Sequence, residues 1–98
     1  MIMDNQKNKS AFDYYTNLDS HPMTGVFKTD FDVVVVVKPW TEGFFNGAEN
    51  YNQVTEVTPG KTYHVSKVEC LGDVSDFCVI GDNGKEKRLA SFFFEPAP

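Results

Sequence analysis

The side chains that most often carry chemistry are few in this chain, and their spacing is poor for it. His21 and His64 are its two histidines, and neither has a Cys or Asp at a separation that builds a triad or a metal cluster. Asp30 and Asp32 flank Phe31, and paired carboxylates can do acid–base work; at the head of a β-branched run they read more simply as the solvated start of a strand. Gly43-Phe44-Phe45-Asn46-Gly47 contains two glycines but no lysine and no following helix, so it does not form a phosphate cradle. Cys70 and Cys78 make no CxxC and have no His at zinc spacing; both read as reduced, buried, small hydrophobes. No metal or cofactor is expected, and an enzyme ranks last among the possible functions.

The aromatic residues have a better claim. Trp40, Phe44, Phe45 and Tyr51 place four rings in twelve residues of a segment rich in Gly and Asn. That is more than a loop needs for solubility, and Trp and Tyr are frequent interface anchors. The simpler alternative is that the loop folds back and its rings cap an undersized core. Lys85, Lys87 and Arg88 form the one basic cluster. They read as a solvated hairpin face, and they are the basis of an alternative function as a small nucleic-acid-associated barrel.

Whatever does the work must sit on a small scaffold. The 98 residues suit one domain, and an aromatic content of 14%, with nine Phe, supplies enough apolar area for one core. The formal net charge of −5 disfavours phosphate backbones and anionic lipid surfaces, and favours a basic partner or mimicry of a polyanion. There is no apolar run of membrane-spanning length, and Met1 to Ser10 lacks a signal-peptide core, so the expected compartment is the cytoplasm.

Residues 1 to 9 are polar and without periodicity, which predicts a flexible tail. Ser10, with Asp13 three places on, resembles a capping box. Ala11, Tyr14 or Tyr15, and Leu18 then fall at helical spacing before Pro22, so a short helix is expected to plug one end of the fold. Beyond Met23 the period becomes that of strands. Phe31 to Lys38 is the surest, and its five consecutive valines require cover on both faces. Pro39 ends it. After Thr58-Pro59-Gly60, Tyr63 and Val65 alternate with polar residues in a second strand reaching about Leu71. A turn over residues 72 to 76 leads to Phe77-Cys78-Val79-Ile80; if it is centred on Val74, Cys70 lies opposite Cys78, where a disulfide is sterically allowed but not expected in a reducing cytoplasm. Asn83-Gly84 then marks a tight hairpin. With those two residues as the loop, Cys78 faces Leu89 and Ile80 faces Lys87. Cys78, Ile80 and Leu89 then turn inward, and Phe77 looks toward solvent or a partner.

This order of elements resembles an SH3-like barrel. Gly60 to Val65 looks like that family's strand after its long loop, Asn83-Gly84 like its distal turn, and Ala90-Ser91-Phe92-Phe93 like its short corner. The resemblance covers roughly residues 31 to 95. It implies a mainly β, five-stranded barrel over residues 23 to 98, preceded by a tail and short helix over residues 1 to 22. Phe77 and Phe93 match two aromatic positions of the family's peptide groove. Ala90 stands where the groove proline is usual, and the Ala-Leu-Tyr-Asp-Tyr motif is absent, so a proline-rich ligand is not the expectation. As an acidic stand-alone barrel the chain is also similar to small SH3-fold proteins of tailed bacteriophages. The resemblance implies a non-enzymatic accessory protein or inhibitor that docks on a larger host or viral protein through Trp40, Phe44, Phe45, Tyr51, Phe77 and Phe93. A structural subunit of a larger assembly is a further alternative.

Overall fold

The computed structural model describes residues 4–17, 24–46, 54 and 56–98. Helix α1 (Asp4–Thr16) precedes strand β1 (Thr24–Val35), and a short helix α2 (Glu42–Asn46) lies in the long connection to β2 (Thr62–Leu71). Strands β3 (Ser75–Ile80) and β4 (Glu86–Ala90) follow, then a 3-10 turn at Ser91–Phe93 and strand β5 (Phe94–Pro96). All neighbouring strands are antiparallel in one curled sheet of order β4-β3-β2-β1-β5. The curl is that of a half-barrel, whose last strand returns to pair with its first.

The valine run shows how the core is built. Phe31, Val33 and Val35 are fully buried on the concave face, while Val34 and Val36 are half-buried on the other and Val37 is exposed. The expected second cover is therefore only partial. The strand also starts earlier and ends earlier than the run suggests: residues 24–28 pair with β2, and Val36 onward leave the ladder. Between Lys28 and Phe31 the pairing slips by one residue. This bulge bends the sheet, and beyond it the buried positions of β2 change phase from Tyr63 and Val65 to Val68 and Cys70.

The β3–β4 hairpin corrects the expected register. Asn83 does not adopt positive φ; Gly84 does, at +81°. Gly84 N–H donates to the Gly81 carbonyl at 2.9 Å and Gly81 N–H to the Lys85 carbonyl at 2.8 Å, so the loop has three residues, Asp82 to Gly84, with the glycine in the left-handed position. That one extra residue shifts every pair: Phe77 faces Leu89, Cys78 faces Arg88 and Ile80 faces Glu86. Phe77 and Val79 thus point inward, and Ile80 is 57% exposed. Cys78 lies on the outer face, buried beneath charged side chains rather than in the core. The preceding turn also differs, for Cys70 pairs with Ser75 and Cys78 with Lys67, and the two cysteines form no disulfide.

Phe77 is the hub of the interior. Its ring meets Phe31 edge-on at 5.4 Å, Phe12 edge-on at 5.7 Å and Phe94 at 5.7 Å. Phe12 comes from α1, which begins six residues before Ser10, inside the stretch expected to be a flexible tail. The helix lays Asn8, Ala11, Phe12 and Tyr15 on the sheet, at the i, i+3, i+4, i+7 spacing of one helical face. Asn8 accounts for the early start: its Oδ1 accepts from Asp32 N–H at 2.8 Å and its Nδ2 donates to the Ala97 carbonyl at 3.1 Å. A buried polar side chain thereby joins β1 to the chain end just where their own ladder finishes. Leu18 and Pro22 lie outside the described residues.

Candidate functional site

Where β1 ends, the chain makes a turn whose parts are tightly tied. Thr41 N–H donates to the Lys38 carbonyl at 2.9 Å, with Pro39 at the position a β-turn favours for proline. The Thr41 hydroxyl accepts from Lys38 N–H at 2.8 Å and lies 3.2 Å from the Lys38 carbonyl. Thr41 itself is completely buried. The residue before it, Trp40, is 58% exposed. An anchored turn thus holds a tryptophan outward.

Trp40 does not stand alone. Its ring centroid is 5.0 Å from that of Phe92 on the 3-10 turn, and the Phe92 ring is 4.7 Å from Phe93, which Phe45 of α2 meets edge-on at 5.7 Å. This ladder of rings runs from the surface at Trp40 and Phe92 to the interior at Phe93. The Lys38 side chain adds to its outer end. The Lys38 ammonium sits 5.6 Å over the Trp40 ring and donates to the Phe92 carbonyl at 3.1 Å, while Val36 N–H donates to the Phe93 carbonyl at 3.0 Å. The turn and the 3-10 corner are therefore fastened to each other by polar bonds, with their aromatic residues between.

Of the residues expected to bind a partner, Trp40 is at the surface, Phe45 is half-buried against Phe93, and Phe93 is buried beneath the patch. Phe77 is overturned as a contact residue, because the corrected register puts it at 0% exposure in the core. The Phe44 side chain and Tyr51 lie outside the described residues. Lys38 and Phe92 were missed. Ser91-Phe92-Phe93-Phe94 carried a usable signal, since three consecutive phenylalanines entering a 3-10 turn and a strand cannot all point the same way.

Two further clusters come from pairings remote in sequence. His64 is exposed, as expected, but register places it beside Asp32: Nδ1 lies 2.8 Å from Asp32 Oδ1 and Nε2 lies 3.4 Å from Asp30 Oδ1. Lys7 of α1 binds Asp30 at 3.1 Å and holds its carboxyl below the usual range. Both imidazole nitrogens face carboxylates, the arrangement of an ion-pair network between neighbouring strands and the helix. At the other end, Asp82 accepts from Lys61 at 2.7 Å, from the Thr58 hydroxyl at 2.6 Å and from the Tyr63 hydroxyl at 2.8 Å. These donors, Lys61 foremost, hold its carboxyl down at about 2. They clamp the hairpin loop to the start of β2 and the segment before it.

The convex face carries an open groove of about 370 Å³ lined by Val26, Lys67, Glu69, Cys78, Glu86 and Arg88. Its charges satisfy one another: Lys67 pairs with Glu86 at 3.1 Å, and Arg88 pairs with Glu69 and, at 3.9 Å, with Asp76. Burial, reinforced by Glu86, pushes the Cys78 thiol up, away from the reactive thiolate, and burial likewise raises Asp76. The basic cluster proves dispersed in function, since Lys87 pairs with Glu56 at 3.6 Å and Arg88 with the groove acids. Among the described residues no group of three or more His, Cys, Asp or Glu is placed to hold a metal ion, and no helix is long and apolar enough to cross a membrane. No protein-family model, curated protein or solved structure matches the chain.

Proposed function

We propose that this chain is a protein-binding module of SH3-like architecture that docks through the Trp40 and Phe92 patch. The architectural half of the proposal is supported by the strand order, in which β5 returns to β1 after a 3-10 turn, and by the long connection between β1 and β2. The functional half rests on one observation. A solvent-facing tryptophan sits on a turn whose next residue is fully buried and doubly hydrogen-bonded. Ring area presented by a rigid backbone loses little conformational freedom on binding, which is why such aromatics anchor interfaces. The role that accords with the small acidic scaffold is an accessory protein or inhibitor of phage type, acting on a larger host or viral protein in the cytoplasm.

A nucleic-acid role has less support, because Lys87 and Arg88 already face carboxylates. The test is a differential capture: the tagged chain and its Trp40→Ala, Phe92→Ala double variant are each passed through host lysate, with far-UV circular dichroism as the check on folding. The wild type should retain a protein that the folded double variant does not. Identical captured sets would refute docking through this patch.

A further inference from the structure

The cations of this protein are mostly neutralised where they stand. Lys7, Lys9, Lys61, Lys67, Lys87 and Arg88 each lie within ion-pair distance of a carboxylate. Lys28, Lys38 and Lys85 have no such carboxylate among the described residues, and of these Lys38 alone lies against the exposed rings. Neutral groups hold it instead: the Phe92 carbonyl at 3.1 Å and the face of Trp40 at 5.6 Å. A lysine ammonium has three donors, so this contact leaves two for another molecule, beside the two exposed rings. The carbonyl contact also restrains a side chain that otherwise loses considerable rotamer freedom on binding. The result is a prepositioned positive charge at the rim of an apolar patch on a protein whose net charge is −5.

Resting on the reading of this patch as a docking surface, we infer that its partner presents an acidic side chain next to an aromatic or large aliphatic one. The apolar group packs on Trp40 and Phe92, and the carboxylate takes the open donors of Lys38. A single carboxylate suits the site better than an acidic tract. At physiological salt, charges farther than about 8 Å are largely screened, so one acid gains locally from Lys38 while a longer run meets the surrounding negative field. An ammonium gains Coulomb attraction from a carboxylate that a neutral amide oxygen cannot supply, so Lys38 discriminates between an acid and its amide.

The probe is a random dodecapeptide library displayed on phage and panned against the 98-residue chain, with clones that also bind Trp40→Ala discarded. Retained peptides should pair Asp or Glu with an aromatic or large aliphatic residue within a few positions. In synthetic copies, replacing that acid by its amide should weaken binding about three- to tenfold by calorimetry. The difference should vanish against Lys38→Gln and return with Lys38→Arg. Peptides that need Trp40 but bind wild type and Lys38→Gln equally would overturn the acidic partner while leaving the docking surface intact. A library yielding nothing dependent on Trp40 would sink both. Concentration-dependent self-association lost in Trp40→Ala, seen by sedimentation, would make a second copy the occupant and overturn the inference.

Discussion

Replacing Phe77 by alanine, and separately Ile80 by alanine, decides which face of β3 is the interior. The two residues stand three apart on the same short strand, and the two possible hairpin registers exchange their roles. With a two-residue loop Ile80 is inside and Phe77 outside; with the three-residue loop the reverse holds. In the structure Phe77 has no exposed surface and touches rings from α1, β1 and β5. Removing a fully buried phenylalanine ring costs about 3–5 kcal/mol, through lost transfer energy and the cavity left behind. Ile80, at 57% exposure, should cost under about 1 kcal/mol. A domain of this size has a total stability of about 5–15 kcal/mol, so Phe77→Ala should lower the melting temperature by roughly 12 °C or more. Should that variant prove too unstable to purify, Phe77→Leu gives a graded version with an expected loss of about 1–2 kcal/mol. Urea unfolding followed by far-UV circular dichroism supplies the free energies. A larger loss for Ile80→Ala than for Phe77→Ala would refute the register, and with it the assignment of Phe77 to the core.

Three further outcomes follow from the polar contacts and one close approach. The Asp82 carboxyl titrates at about 2 in the folded chain and near 4 when unfolded, so it stabilises the fold above about pH 4 and that contribution is lost as pH falls through about 2. Asp30 and Glu86, also lowered, act in the same direction, whereas Asp76, raised by burial, opposes them. Urea midpoints from pH 6 to 2 should therefore fall more steeply for wild type than for Asp82→Asn, and parallel profiles would contradict the clamp. Asn8→Ala strips the partner from Asp32 N–H and the Ala97 carbonyl, at about 1–3 kcal/mol, and hydrogen exchange at the Asp32 amide should quicken. Unchanged exchange would mean that the Asn8 amide does not help to dock α1. Gly81→Ala would set a Cβ 2.8 Å from the Glu56 carbonyl oxygen, so a loss of about 1–3 kcal/mol in urea unfolding is expected, and a neutral result would show that the loop yields freely.

Much of the β architecture is legible from local pattern. The alternation of Tyr63 and Val65 with polar residues sets the phase at the start of β2, and the β-branched run places the second half of β1. Gly60 and the Asn83-Gly84 pair locate turns, because the glycine of each adopts left-handed backbone at little steric cost. These signals work because each depends on steric preferences within a few residues. Tertiary pairing settles what they leave open. One additional loop residue before Lys85 reverses which side chains of β3 face inward, and Asn83-Gly84 is compatible with either loop length. The helix begins at Asp4 because the amide of Asn8 finds backbone partners twenty-four and eighty-nine residues away, which no helical periodicity can register. His64 meets Asp32 across a ladder, and Trp40 meets Phe92 only when the end of β1 and the turn before β5 are brought side by side. Side-chain identity states what a group can do; its neighbours, supplied by distant parts of the chain, decide whether a ring becomes core or surface.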